Sequence, residues 1–367
     1  MTEIDSNINS IDNNNSFSES TSDSTSSEYL IEVKNVKTHF YTEVGIVKAV
    51  EGVSFSIKKG EVLGLVGESG CGKSVTALSM LNLVRFPGII ENGQVLFNGM
   101  DLLSLDEKDI QKIRGDRITM IFQDPMSSLN PIFTVSEQIA EVILLHKNVS
   151  KLEAKNMAID IMKKVGIPQA ENRVDDYPHL FSGGMRQRIM IGRAIANNPD
   201  LLIADEPTTA LDVTIQAQVL EIIKSLQHEN HMSVLLITHN LGVVAEYCDR
   251  VAVMYGGYIV ETAPVKDIFV NPAHPYTIAL MLAIPRIDVK FDRLQTLPGS
   301  VPDLINPPTG CRFNPRCKFS TQRCIDEEPV LQEVEPNHFV ACWEYKNVLS
   351  SEDRGKVKIE VDLKQNF

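Results

Sequence analysis

The sequence predicts an α/β fold: a mainly parallel core sheet with an antiparallel β flank and a helical subdomain, followed by a cysteine-rich, loop-like C-terminal extension. Three observations lead there. The run GESGCGKS at 67–74 follows a short apolar run, EVLGLV at 61–66, and precedes a helical pattern, SVTALSMLNLV at 74–84. Together they read as the strand, glycine-rich turn and helix of a phosphate-binding unit. Two later apolar runs, LLIA and SVLLIT, have the look of strands buried on both faces. The alternating runs YLIEVKNVKTHFY (29–41) and IVKAVEGVSFSI (46–57), joined through TEVG, read as two half-exposed strands ahead of the loop.

A chain of 367 residues has room for one large α/β domain and an appendage, and its 43% hydrophobic content is that of a globular protein with a proper core. The formal charge of −13 argues against a nucleic-acid footprint, which shows as a basic patch. No apolar stretch reaches the length of a bilayer span, and the N-terminus lacks the basic flank and apolar core of a secretory signal. These features predict a soluble, cytoplasmic protein whose membrane contact, if any, comes through a partner. Residues 1–28 are rich in Ser, Asn, Asp and Thr and cannot bury enough surface to offset their ordering entropy, so they read as a disordered tail. The remaining divisions are a nucleotide-binding domain at 29–265 with a helical part at about 124–185, the extension at 266–345 and a polar tail at 346–367.

In the loop, glycines at 67, 70 and 72 permit a tight turn with no side chains in the way. Backbone N–H groups from Gly67, Glu68, Ser69, Gly70, Cys71 and Gly72, continuing into Ser74 and Val75 at the helix start, can then point at a polyphosphate. Lys73 would reach the β and γ phosphates, and the Ser74 hydroxyl would hold Mg²⁺. Upstream, Tyr41 or its neighbour Phe40 is either an adenine-stacking aromatic or a strand residue in a small core.

Downstream, QVLFNGMDL reads as a strand and turn, and RITMIFQDP at 117–125 as a strand with a polar break. Gln123 at that break could touch Mg²⁺ and the attacking water. TVSEQIAEVILLHK and KLEAKNMAIDIMKKVG have helical periodicity. In FSGGMRQRIMIGRAIANNP (181–199), Ser182 is a natural N-cap and Gly183 and Gly184 leave N–H groups uncovered, a second possible anion site. LLIA ends in two acids: Asp205 suits Mg²⁺, and Glu206 suits a base that polarises water. Asp212 is either a plain N-cap or a dimer contact. SVLLITH ends in His239, placed to hydrogen-bond a γ-phosphate. A helix to Cys248 and strands RVAVMYG and GYIVETA follow.

Taken together, these motifs resemble the ATP-binding cassette of an ABC transporter, an ABC-type P-loop NTPase, continuously from about residue 29 to 342. The resemblance implies that GESGCGKS is Walker A, Gln123 the Q-loop, FSGGM the signature, Asp205 with Glu206 the Walker B pair, 210–212 part of the D-loop and His239 the switch histidine. It implies two cassettes paired head to tail, with each ATP between one Walker A and the other subunit's Ser182, Gly183 and Gly184. It also implies membrane subunits docked on the helical segment. The chain has Met185 where the usual signature LSGGQ has glutamine. The tail segments NPAHPYTIALMLAIPR, LPGSVPDLINPPTGCRFNPRCKFSTQRC and HFVACW resemble the extension of dipeptide and oligopeptide importer ATPases. That resemblance implies a peptide importer at the cytoplasmic face of the cell membrane, with a second ATPase subunit in a heterodimer and two transmembrane permease subunits. An extracytoplasmic peptide-binding protein would act indirectly, and no nucleic acid is implied. A nickel-importer ATPase and a soluble ABC ATPase acting on nucleic acid or the ribosome are the alternatives.

Four of the six cysteines, Cys311, Cys317, Cys324 and Cys342, crowd the tail, separated by five, six and seventeen residues, in a segment with six prolines from 298 to 329. Such a module has no evident core and needs a staple. Four thiolates can hold zinc or a 4Fe-4S cluster, and neither CxxC nor a ferredoxin-type run is present. The family resemblance favours 4Fe-4S, with zinc and free thiols or disulfides as alternatives. His338 reads as a surface histidine or a substitute ligand.

Overall fold

The alternating runs before the phosphate loop form β1 (Tyr29–Thr42) and β2 (Gly45–Lys58), paired antiparallel. The structure is a computed structural model that describes residues 28–123, 128–208, 212–283, 299–352 and 354. The tail expected at 1–28, apart from Glu28, lies outside those residues, as do 124–127, 210 and 211 of the D-loop and most of the polar tail. β1 also pairs with β4 (Gly88–Phe97), and β4 with β5 (Met100–Asp101), giving an antiparallel sheet in the order β2-β1-β4-β5.

The apolar runs form β3 (Val62–Val66), β6 (Ile118–Ile121), β7 (Leu201–Asp205) and β8 (Ser233–Thr238), followed by β9 (Arg250–Tyr255) and β10 (Tyr258–Pro264). The extension supplies β11 (Gln332–Glu335) and β12 (His338–Val340). Among the described residues they make an eight-stranded sheet in the order β11-β12-β10-β9-β3-β8-β7-β6. Strands β6, β7, β8, β3 and β9 run parallel, and β10, β12 and β11 add an antiparallel edge. β7 and β8 are buried along their whole length, as a parallel strand covered on both faces must be.

Helix α1 (Lys73–Met80) follows the phosphate loop and stops earlier than the apolar pattern suggests, because Asn82 takes a left-handed conformation with φ 51°. A second helix, α2 (Glu107–Ile113), is capped by Asp106 and was not apparent from the apolar pattern. α3 (Val135–His146) and α4 (Lys151–Lys164) both begin with capping boxes, Thr134 with Glu137 and Ser150 with Glu153. α5 (Ala170–Arg173) leads to α6 (Gly183–Ala194), the helix after the serine–glycine turn. α7 (Val213–Asn230), capped by Asp212, α8 (Leu241–Tyr247), α9 (Val265–Val270) and α10 (Pro275–Leu282) complete this face.

Two apolar cores flank the central sheet. One lies between it and the antiparallel flank, where Ile31, Val33, Val53 and Val95 meet Leu63, Leu65, Ile203 and Leu235. The other, on the helical face, joins Ile139, Ala158, Ile189, Val219 and Leu236 with Phe313, Val340 and Cys342 of the extension and Val348 of the segment that follows it. The expected loop-like extension therefore needs correction: part of it completes the main sheet and core.

Its attachment includes a buried hydrogen-bond network. Glu261 on β10 is fully buried, accepts N–H bonds from Ala273 and His274 at 2.6 and 3.0 Å, and lies 2.7 Å from His338 Nε2. His338 is thus an interior anchor, 1% exposed, and not a surface residue. Truncating one member of a buried polar network leaves the others unpaired. Glu261→Ala should cost about 3–5 kcal/mol. Thermal denaturation should then show a melting temperature lower by at least about 6 °C; an unchanged melting temperature would contradict this role.

Candidate active site

The phosphate loop is shaped by packing that excludes side chains at two glycines. Gly72 has φ 109°, and a Cβ there would collide with the Ala49 carbonyl; at Gly67 it would collide with the carbonyl of Met254 on β9. Ser69 and Gly70 form the exposed rim, while Gly67, Cys71 and Gly72 are buried and Glu68, Ser74 and Val75 are partly so. Cys71 faces inward, and burial pushes its thiol up. The Lys73 amine, 5% exposed, donates to the Gly67 and Glu68 carbonyls, both at 2.9 Å, and so closes the turn on itself. A triphosphate offers that amine stronger, charged acceptors.

At the end of β7, Asp205 is 3% exposed, and its Oδ1 has no hydrogen-bond partner among the described residues. Burial pushes its carboxyl up; the Ser74 hydroxyl pulls it back, Glu206 adds to the rise and Lys73 opposes it. A buried carboxylate oxygen without a partner, beside a hydroxyl, is a donor set that fits Mg²⁺.

Glu206 breaks the strand with φ 46°, a left-handed conformation rare for a residue with a Cβ. Its N–H is held by the Ile237 carbonyl of β8 at 2.9 Å. Gln123 Nε2 donates to Glu206 Oε2 at 2.9 Å, and His239 Nδ1 lies 3.2 Å from Oε1. Gln123 and His239, just past the ends of β6 and β8, thus converge on the carboxylate just past the end of β7.

Ser182 accepts the Met185 N–H as N-cap of α6, Ser182 and Gly183 are exposed, and a Cβ on Gly183 would meet nothing within 4 Å. Among the described residues no hydrogen bond or ion pair joins this turn to the phosphate loop. Met185 is half-buried, its sulfur 3.8 Å from Arg173 Nη1, so the residue that departs from glutamine packs into the helical subdomain. Tyr41 is 45% exposed at the far end of β1, where its hydroxyl donates to Glu91 at 2.7 Å. Asp212 is a helix N-cap, accepting from Ile215.

Two tail residues that sequence reasoning missed reach the loop. Tyr276 on α10 accepts the Glu68 N–H, and Arg316 pairs with the Glu68 carboxylate. No local pattern signals them, since they lie 208 and 248 positions away.

Cys311, Cys317, Cys324 and Cys342 line one small cavity with His274, Phe313 and Trp343. All are free thiols. Burial first, then the neighbouring thiols, push Cys311 and Cys317 up to about 11 and raise Cys342 as well. Among the described residues, no group of three or more Cys, His, Asp or Glu is arranged around a single metal ion. Neither the 4Fe-4S nor the zinc expectation therefore has support in the geometry of the described residues.

Two family models match the chain, one described as ABC transporter over residues 50–209 and one as oligopeptide/dipeptide transporter, C-terminal region, over 260–324. The probable peptide ABC transporter ATP-binding protein y4tR of Sinorhizobium fredii is 51% identical, covering 88% of this chain and 97% of its own. The oligopeptide transport ATP-binding protein AppD of Bacillus subtilis is 51% identical over 86% of this chain and 97% of its own. The dipeptide transport ATP-binding protein DppD of Lactococcus lactis is 50% identical over 86% and 91%. Among solved structures, the ATP-binding cassette MJ0796, described as a dimer bound to ADP and Pi, aligns with TM-score 0.58 and 27% identity over 64% of this chain and 98% of its own.

Lys73→Ala removes the loop's cation. Loss of a hydrogen bond to a charged group costs about 1.5–3 kcal/mol, so affinity for MgATP measured by calorimetry should fall about 10- to 150-fold. Binding within twofold of the parent would contradict the placement of the phosphates at this loop.

Proposed function

Because the chain belongs to the ATP-binding subunits of ABC transporters, in the oligopeptide and dipeptide group, we propose that it hydrolyses ATP to energise peptide import through partner membrane subunits. The observation that carries the mechanism is the Glu206 carboxylate, held between Gln123 and His239 directly after the partnerless Asp205 oxygen. The phosphate loop and Lys73 bind the triphosphate, and Tyr41 stacks on the adenine. Ser74, Asp205 and Gln123 would hold Mg²⁺, which would supply charge neutralisation to the phosphate oxygens. Glu206 polarises the attacking water, and His239 hydrogen-bonds the γ-phosphate.

Ser182, Gly183 and Gly184 serve the loop of a second cassette. The N–H groups of a helix start lack intrahelical partners and suit an anion brought from outside, and the similar MJ0796 cassette is described as dimeric. We assign that second cassette to a different but similar subunit, giving a heterodimer.

Beside Gln123, a cleft of about 370 Å³ is lined by Leu81, Leu83, Phe122, Met190 and Arg193. Phe122 is 45% exposed. We assign the cleft, where the core sheet meets the helical segment, to a single helix of one permease subunit, so that Gln123 links the γ-phosphate region to the membrane. Among the described residues no helix is long and apolar enough to cross a membrane. The chain then sits peripherally on the cytoplasmic face, and the peptide-binding protein acts from the other side.

We assign the cavity that brings these four thiols together to a 4Fe-4S cluster, for which Cys311, Cys317, Cys324 and Cys342 would be the four ligands. It acts as a staple for the extension. Anaerobically purified protein should be brown and contain about four irons per chain; colourless protein with one zinc would reject the assignment.

Glu206→Gln keeps the side chain's size and its contact to Gln123 while removing the base. Turnover in the assembled transporter should fall at least about 100-fold, with MgATP affinity retained. Unchanged turnover would refute the role of Glu206.

A further inference from the structure

The second position of the phosphate loop is gripped from the extension at both its backbone and its side chain. The Glu68 N–H donates to the Tyr276 hydroxyl at 2.8 Å. The Glu68 carboxylate accepts two bonds from one guanidinium, Arg316 Nη1 to Oε2 at 2.8 Å and Nη2 to Oε1 at 3.2 Å. This is the forked geometry that fixes direction as well as distance.

Arg316 is itself immobilised. Its side chain is 6% exposed against 26% for Glu68. Nη1 also donates to the Tyr255 hydroxyl at 3.3 Å, and the guanidinium carbon lies 5.7 and 5.9 Å from the ring centres of Tyr255 and Phe313. Those rings and Tyr276 pack on one another, with centroids 4.5 to 5.5 Å apart. A rigid aromatic box thus aims a cation at one loop residue.

The position of Glu68 matters because its peptide is part of the cradle. The Glu68 carbonyl is one of the two that Lys73 grips, and the Cys71 N–H donates to it at 3.3 Å. Moving Glu68 therefore moves the lysine anchor and the turn that presents the following N–H groups. A cradle of backbone dipoles works to the degree that it is preorganised.

We propose that Arg316 is a positioning residue for nucleotide: through Glu68 it holds the phosphate loop in its receiving conformation, so that the C-terminal extension sets nucleotide affinity. Arg316 touches no phosphate. The extension thereby becomes part of the nucleotide site as well as a covering of the sheet edge. The inference rests on the reading that this loop binds ATP.

The test is a double-mutant cycle on the full chain, with MgADP affinity read by calorimetry and melting temperature recorded in parallel. Parent binding is measured first; a parent that does not bind MgADP overturns both the ATP reading and this inference. With the parent binding, Arg316→Ala and Glu68→Ala should each weaken MgADP about 5- to 20-fold. The double variant should be no weaker than the worse single, because both remove one coupling. Arg316→Lys, which keeps the charge and loses the fork, should fall between parent and Arg316→Ala. If Arg316→Ala is insoluble, the lysine variant takes its place in the cycle. A lowered melting temperature with MgADP affinity within twofold of the parent would make the pair a mere dock for the extension and overturn the inference. So would losses that multiply in the double variant, since Arg316 would then act by another route.

Discussion

The structure turns on the abrupt end of β7. Four apolar residues are buried on both faces of a parallel sheet, and the strand then has to release two carboxylates in succession. Asp205 stays inside, 3% exposed, with one oxygen partnerless among the described residues. Glu206 escapes only by taking a left-handed backbone conformation, φ 46°, pinned by the Ile237 carbonyl of the neighbouring strand. Backbone strain of this kind, of order 1–3 kcal/mol, persists where the surrounding structure over-determines it. Here it separates two acids by function: one in low dielectric beside Ser74, the other between Gln123 and His239.

The parallel order β6-β7-β8-β3 explains why these groups meet. Each strand delivers its last residues to the same edge of the sheet, so Gln123, Asp205, Glu206 and His239 arrive beside the loop that follows β3. The helix that Ser182 caps begins with two exposed residues, Ser182 and Gly183. One chain thus gathers Gln123, Asp205, Glu206 and His239 beside its phosphate loop, while the Ser182 turn has no bond to that loop among the described residues. That division is why we assign the activity to a pair of cassettes.

Much of this was legible because it is local. GESGCGKS carries its own turn geometry, the acids sit directly after a buried strand, and Ser182 caps the helix it precedes. What escaped sequence reasoning depends on distant pairing. The strands Gln332–Glu335 and His338–Val340 are too short to show alternation, so the extension reads as loop although it completes the sheet. His338 looks polar and is buried because Glu261, 77 positions away, receives it. β4 begins at Gly88, ahead of the run that reads as a strand, because β1 offers a partner across a register shift. The Arg316–Glu68 pair spans 248 positions and has no motif at all. The four cysteines line one cavity, while an arrangement that could hold a metal ion is not found among the described residues.

The central claim is that hydrolysis at Glu206 drives peptide across a membrane. The direct measurement is uptake of a labelled oligopeptide into proteoliposomes that contain the assembled transporter and enclose ATP, with the peptide-binding protein outside. The account predicts accumulation that requires enclosed MgATP and disappears when the chain carries Glu206→Gln. Accumulation that continues with that variant, or without ATP, would contradict it.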